Sequence, residues 1–151
     1  MDSLTTLRDN LADLTSYGLV SVAVLIIGFI GLDLVTPGSL RTLIWRENNR
    51  TATVLAVAQA LGLMIALAAG IGAAPGLELW RGVLYTAVYG VITVALMMFS
   101  FVLVDALTPG RLGSLLLDHK TPGGGAAHPA VWLNAVLFVA IGVFVYSALG
   151  L

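Results

Sequence analysis

Four apolar segments, each long enough to cross a lipid bilayer as a helix, divide this chain of 151 residues. They run from Tyr17 to Val35, Ala52 to Gly72, Gly82 to Leu107 and Ala130 to Leu151. A helix needs about 20 apolar residues to span the hydrocarbon core. The charged residues inside these segments are Asp33 and Asp105, each near the C-terminal end of its segment. A chain with 59% hydrophobic and 10% charged residues could not cover itself with polar surface in water, where soluble domains carry about 25% charged residues. Hydrocarbon removes that requirement, and a helix satisfies its own backbone polar groups there. The sequence predicts an all-α integral membrane protein with four transmembrane helices.

The remaining composition narrows the function classes. The formal net charge of −1 gives no electrostatic bias toward nucleic acid. Cysteine is absent, which excludes disulfides, thiolate metal sites and cysteine nucleophiles. Residues 1–15 form a polar N-terminal segment holding Asp2, Asp9, Asp13 and Arg8. Such an acidic start is the reverse of a signal peptide's basic one, so the first apolar segment is expected to stay on the chain. Arginine and lysine set the orientation. Arg41, Arg46 and Arg50 lie on the first long connection and Arg111 and Lys120 on the second, against Arg8 and Arg81 on the opposite side. Although Glu47 partly balances Arg46, this distribution puts both connections in the cytoplasm and both termini outside it.

Self-comparison shows a repeat. Tyr17 to Ile44 aligns with Tyr89 to Leu116 without a gap, at a constant offset of 72 residues, and about 11 of 28 positions are identical. The shared pattern is Tyr-Gly, an apolar helix, then Asp-x-x-Thr-Pro-Gly-x-Leu-x-x-Leu. Repeat 1 covers residues 16–72 and repeat 2 residues 82–151, joined by a linker at 73–81. Gly62 and Gly142 align only with about eight extra residues in the second connection, where a glycine-rich loop falls at about 118–129. That loop lacks the strand and Lys-Ser/Thr of a phosphate cradle. Each unit holds two spans, so both copies enter the membrane the same way and form parallel tandem repeats, with a pseudo-two-fold axis expected along the membrane normal.

The doubled Asp-x-x-Thr-Pro-Gly-x-Leu at the end of an apolar helix resembles the YjfL-like inner-membrane proteins, the family known as domain of unknown function 350. The resemblance covers about residues 15 to 151. It implies a bacterial, polytopic inner-membrane protein. Through the company its members' genes keep, with polyamine-type synthases and phage-shock-like stress proteins, it also implies a place in envelope homeostasis. It implies no particular reaction.

The motif has a local structural meaning. A residue preceding proline avoids the helical region, so the spans should end at Thr36-Pro37-Gly38 and Thr108-Pro109-Gly110. Threonine can then cap, and proline begin, a short new helix. Leu40, Leu43 and Ile44 recur at helical spacing with Arg41 and Arg46 on other faces and Trp45 at the end, the pattern of an interfacial helix. Leu112, Leu115 and Leu116 repeat it.

Asp33 and Asp105 are the candidate site. Each can accept hydrogen bonds from N–H groups freed at the break, or pair with Arg41 or Arg111. Alternatively, the two carboxylates form a cation or proton site at the cytoplasmic mouth. Ala58, Gly62, Ala66 and Gly70 make a small-residue ridge suited to close helix packing, against a partner or another copy. Thr86, Thr93 and Ser100 form a polar stripe of the helix-contact type, and Gln59 and Asn134 are expected to hydrogen-bond across helices. Tyr17 and Tyr89 read as interface anchors. His119 and His128, with Asp118 alone adjacent, lack the ligand spacing of a metal site, and no catalytic motif occurs. No metal, cofactor or enzymatic activity is expected. Two classes of function remain: an accessory membrane subunit that forms a homo-oligomer or binds a membrane partner, and an oligomeric small-ion or small-solute conduit.

Overall fold

A computed structural model describes residues 3–110, 114 and 129–150. Among the described residues the helices follow in the order α1 (Ser3–Val35), α2 (Leu40–Trp45), α3 (Arg50–Gly72), α4 (Leu79–Leu107) and α5 (Pro129–Ala148). All but α2 are long and apolar enough to cross a membrane, with mean hydropathies of 2.1 to 2.5. The glycine-rich stretch, both histidines and the expected second interfacial helix at Leu112, Leu115 and Leu116 fall outside the described residues.

Local chemistry sets the helix ends. Asn49 caps α3, its Oδ1 accepting from the N–H groups of Thr51 (3.0 Å) and Ala52 (3.2 Å). The turn before α4 needs a left-handed residue, supplied by Gly76 at φ +89°. Proline opens α5, where its missing N–H costs nothing. The largest departure from expectation is at the N-terminus, where α1 starts at Ser3 and runs through the polar segment without interruption. Leu4, Leu7, Leu11 and Leu14 recur there at helical spacing and no proline or glycine intervenes, so nothing stops the helix outside the apolar stretch.

Contacts between glycines and neighbouring helices fix the directions. A Cβ placed on Gly90 of α4 would meet Val24 of α1, and one on Gly31 of α1 would meet Met98 of α4. Positions rising together mean that α1 and α4 run parallel. Gly28 of α1 instead faces Gln59 and Leu63 of α3, which runs the opposite way. The most extensive packing joins α3 to α5, and the next joins α1 to α4. Leu32, Leu40, Leu55, Leu63, Met97, Phe101, Val131 and Phe138 fill the centre. Outward residues such as Ile26, Val57, Leu96 and Val136 are exposed and apolar, as a lipid-facing surface requires.

This packing corrects the expected two-fold axis. A two-fold exchanging α1 with α4 and α3 with α5 would make the α1–α5 contact match the α3–α4 contact. The described residues show extensive α3–α4 packing and no comparable α1–α5 packing. The hairpins α1/α3 and α4/α5 therefore lie side by side, α1 against α4 and α3 against α5. The cause is steric: Gly62 and Gly142 bring α3 and α5 into backbone contact, and Gly31 and Gly90 let α1 and α4 approach each other.

Candidate functional site at the end of the first span

The end of α1 is built by three residues of the Asp-x-x-Thr-Pro-Gly string. Thr36 does not cap the next helix. Its N–H (3.0 Å) and its hydroxyl (2.7 Å) both donate to the Leu32 carbonyl, completing the last turn of α1. Pro37 prevents continuation, and Gly38 takes φ +91°, a left-handed conformation that redirects the chain. The cap of α2 is Ser39, whose Oγ accepts weakly from the Thr42 N–H (3.4 Å). Threonine's hydroxyl is drawn backward because a β-branched residue at a helix end can reach the carbonyl four residues earlier.

Asp33 spans the break. Its Oδ1 accepts from the Leu40 N–H at 2.6 Å, joining the last turn of α1 to the first residue of α2. The carboxylate is half-buried, and its partner is a backbone amide rather than Arg41. Such a charge-assisted bond satisfies one of the orphan donors of α2. At the end of α4, Thr108 bonds the Val104 carbonyl through its N–H (3.0 Å) and its hydroxyl (2.7 Å), and Gly110 takes φ +97°. Asp105 is half-buried and has an interaction partner. Because α1 and α4 are parallel neighbours, Asp33 and Asp105 stand at the same end of the bundle. Arg111 lies outside the described residues. Among the described residues, no three His, Cys, Asp or Glu side chains stand together as a metal cluster.

The other candidates are distributed through the core. All four ridge residues, Ala58, Gly62, Ala66 and Gly70, are buried within the chain. Gly62 abuts Phe138 and Gly142 of α5, and Gly70 abuts Thr86 of α4, so the ridge serves internal packing and offers no free face to another molecule. Thr86 and Thr93 are buried with their hydroxyls bonded to the carbonyls of Gly82 (2.9 Å) and Tyr89 (2.7 Å). The Gln59 amide donates to the Gly28 carbonyl at 2.7 Å across helices, matching the expected role. Asn134 departs from it. Both polar atoms of its side chain are buried without a hydrogen-bond partner among the described residues. Tyr17 is less an interface anchor than a packing residue, since its hydroxyl lies where a Cβ on Gly82 would fall.

Sequence reasoning missed the leucines of the N-terminal overhang. Leu4, Leu7, Leu11 and Leu14 are 76%, 60%, 59% and 71% exposed. Their alternating spacing of three and four residues is a heptad signal, hidden by the polar residues around it. The stripe leads to a cleft of about 560 Å³ lined by Leu14, Tyr17, Gly18 and Ser21 of α1 and the connection before α4.

Four packed apolar helices, with Asp33 and Asp105 at one end of the bundle, thus define the class of a multi-pass membrane protein. The chain belongs to the domain of unknown function 350 family, whose profile matches residues 6–149. It is 34% identical over 147 residues to UPF0719 transmembrane proteins of Mycobacterium bovis and Mycobacterium tuberculosis, covering 97% of this chain and 92% of each relative. A UPF0719 transmembrane protein of Mycolicibacterium paratuberculosis is 30% identical over 126 residues, covering 83% of this chain and 79% of that one. No solved structure is significantly similar to the chain.

Proposed function

We propose that this chain is a small accessory subunit of a bacterial inner membrane that self-assembles through the N-terminal overhang of α1. The observation that carries this reading is the exposed leucine stripe. With 33 residues, α1 is roughly 50 Å long at the helical rise, against a hydrocarbon core of about 30 Å. The surplus of about 20 Å carries Leu4, Leu7, Leu11 and Leu14 beyond the lipid that would otherwise cover them. In heptad terms these leucines occupy the two seam positions, and Asp9 and Asp13 fall outside the seam and its flanks. A parallel copy can therefore pair along the stripe without opposing carboxylates. Two heptads are marginal alone, and the membrane anchors supply the local concentration that short seams lack.

The cysteine-free chain suits a direct test. Leu7→Cys should crosslink between copies in mild detergent and in vesicles, whereas Asp9→Cys, on the opposite face, should not. Leu7→Asn with Leu11→Asn should leave a monomer in light-scattering measurements. Absence of the Leu7 crosslink, or an unchanged oligomer in the double variant, would remove the proposal.

Several features support the finer parts of this reading. The tandem duplication is favoured by the matching bonds of Thr36 and Thr108 and the matching φ of Gly38 and Gly110. The excess of arginine and lysine on the two long connections favours termini outside the cytoplasm, and the family resemblance favours a place in envelope homeostasis.

A conduit with Asp33 and Asp105 at its mouth is the second reading, favoured by their placement at one end of parallel helices. Asparagine keeps an acceptor for the Leu40 N–H but removes the charge. Asp33→Asn with Asp105→Asn is therefore expected to retain helical content and leave ion leakage from loaded liposomes unchanged. A flux present in the parent chain and lost in this variant would favour the conduit over the accessory subunit.

A further inference from the structure

We infer that the outer face of α2 binds the phosphate of an anionic phospholipid in the leaflet on which α2 lies. The helix is held rigidly from beneath. Leu40 and Leu43 are buried in the bundle, and the Leu40 N–H is bonded to Asp33. That anchoring turns Arg41, Trp45 and Arg46 outward, where with Ser39 and Thr42 they line a cleft of about 700 Å³. Neither Arg41 nor Arg46 takes part in an ion pair among the described residues. The Ser39 Oγ accepts from the Thr42 N–H, which leaves its hydroxyl proton able to donate. The cleft thus offers two guanidinium groups and at least one hydroxyl, a donor set that matches phosphate oxygens. Trp45 is 77% exposed. Beside a bilayer, an indole in that position sits at headgroup depth, its ring in the glycerol and upper acyl region. Charge and indole together favour a lipid phosphate over a soluble one, since a dissolved ligand would leave the ring in water.

The test uses the full chain in nanodiscs, with Trp80→Phe and Trp132→Phe leaving Trp45 as the sole indole. Brominated-acyl phosphatidylglycerol should quench Trp45 at several-fold lower mole fraction than the matched phosphatidylcholine. Arg41→Gln and Arg46→Gln should each weaken that preference by about fivefold. Arg50→Gln, on the same connection but outside the cleft, should leave it intact, and excess inorganic phosphate should not reverse the quenching. Native mass spectrometry of the unsubstituted chain supplies the same comparison without the tryptophan changes, and one retained phosphatidylglycerol is expected. Equal quenching by the two lipids, or an Arg50→Gln loss as large as that of Arg41→Gln, would show only general surface attraction and overturn the site. Reversal by inorganic phosphate would overturn the lipid assignment.

Discussion

Gly62→Ala and Gly142→Ala are each expected to force α3 and α5 apart and lower stability by about 3 kcal/mol. The reason is the atom that a new methyl would meet. At Gly62 a Cβ would stand 2.6 Å from Met97 Cε and 2.9 Å from the Phe138 carbonyl carbon, and closer still to the Phe138 oxygen. At Gly142 it would stand 2.8 Å from both Cα and the carbonyl carbon of Gly62. Met97 can swing away, but the opposing backbone cannot, so the helices themselves must separate. Separation also forfeits the Cα–H···O contacts that backbone approach permits, each about 0.5–1 kcal/mol. Gly18→Ala is the control, because nothing lies within 4 Å of its Cβ position and alanine favours the helix. Denaturant-driven unfolding in detergent, read by circular dichroism, measures all three variants. Unfolding midpoints for Gly62→Ala and Gly142→Ala equal to that of the parent chain would contradict the backbone contact.

Asn134→Leu is expected to act in the opposite direction, raising stability by about 1–3 kcal/mol. Asparagine and leucine branch at the same carbon, so leucine preserves the shape while removing the polar atoms. Asn134 is 0% exposed, and both polar atoms are buried without a hydrogen-bond partner among the described residues. In an apolar bundle that desolvation has no compensation, whereas the amide of Gln59, one helix away, recovers it at the Gly28 carbonyl. The same assay applied to Gln59→Leu gives the contrast, a loss rather than a gain. A destabilised Asn134→Leu variant would mean that the amide has a partner after all, an ordered water being the simplest.

The four crossings were legible because they depend on length and apolarity alone. Hydrocarbon imposes the same requirement on every segment, whatever its neighbours. The end of the first span at Thr36-Pro37-Gly38 was legible for a similar reason, since proline's ring and glycine's missing Cβ act on their own backbone. Much less of the candidate site could be read. Thr36 turned back to Leu32 while Ser39 took the cap of α2, a choice between two hydroxyls of similar chemistry made by backbone geometry. The leucine overhang was hidden because residues 3–15 average out as polar, although their spacing is helical.

The sequence by itself determined how many helices cross, where the first break falls and that Asp33 and Asp105 lie near the ends of their spans, because these follow from chain-local forces. Only the tertiary structure decided that the hairpins lie side by side, that the Gly62 ridge is consumed internally and that Gln59 finds a hydrogen-bond partner where Asn134 has none among the described residues. Those outcomes depend on which helix faces which and at what height. In a membrane, where hydrophobicity does not sort one apolar face from another, close packing makes that choice.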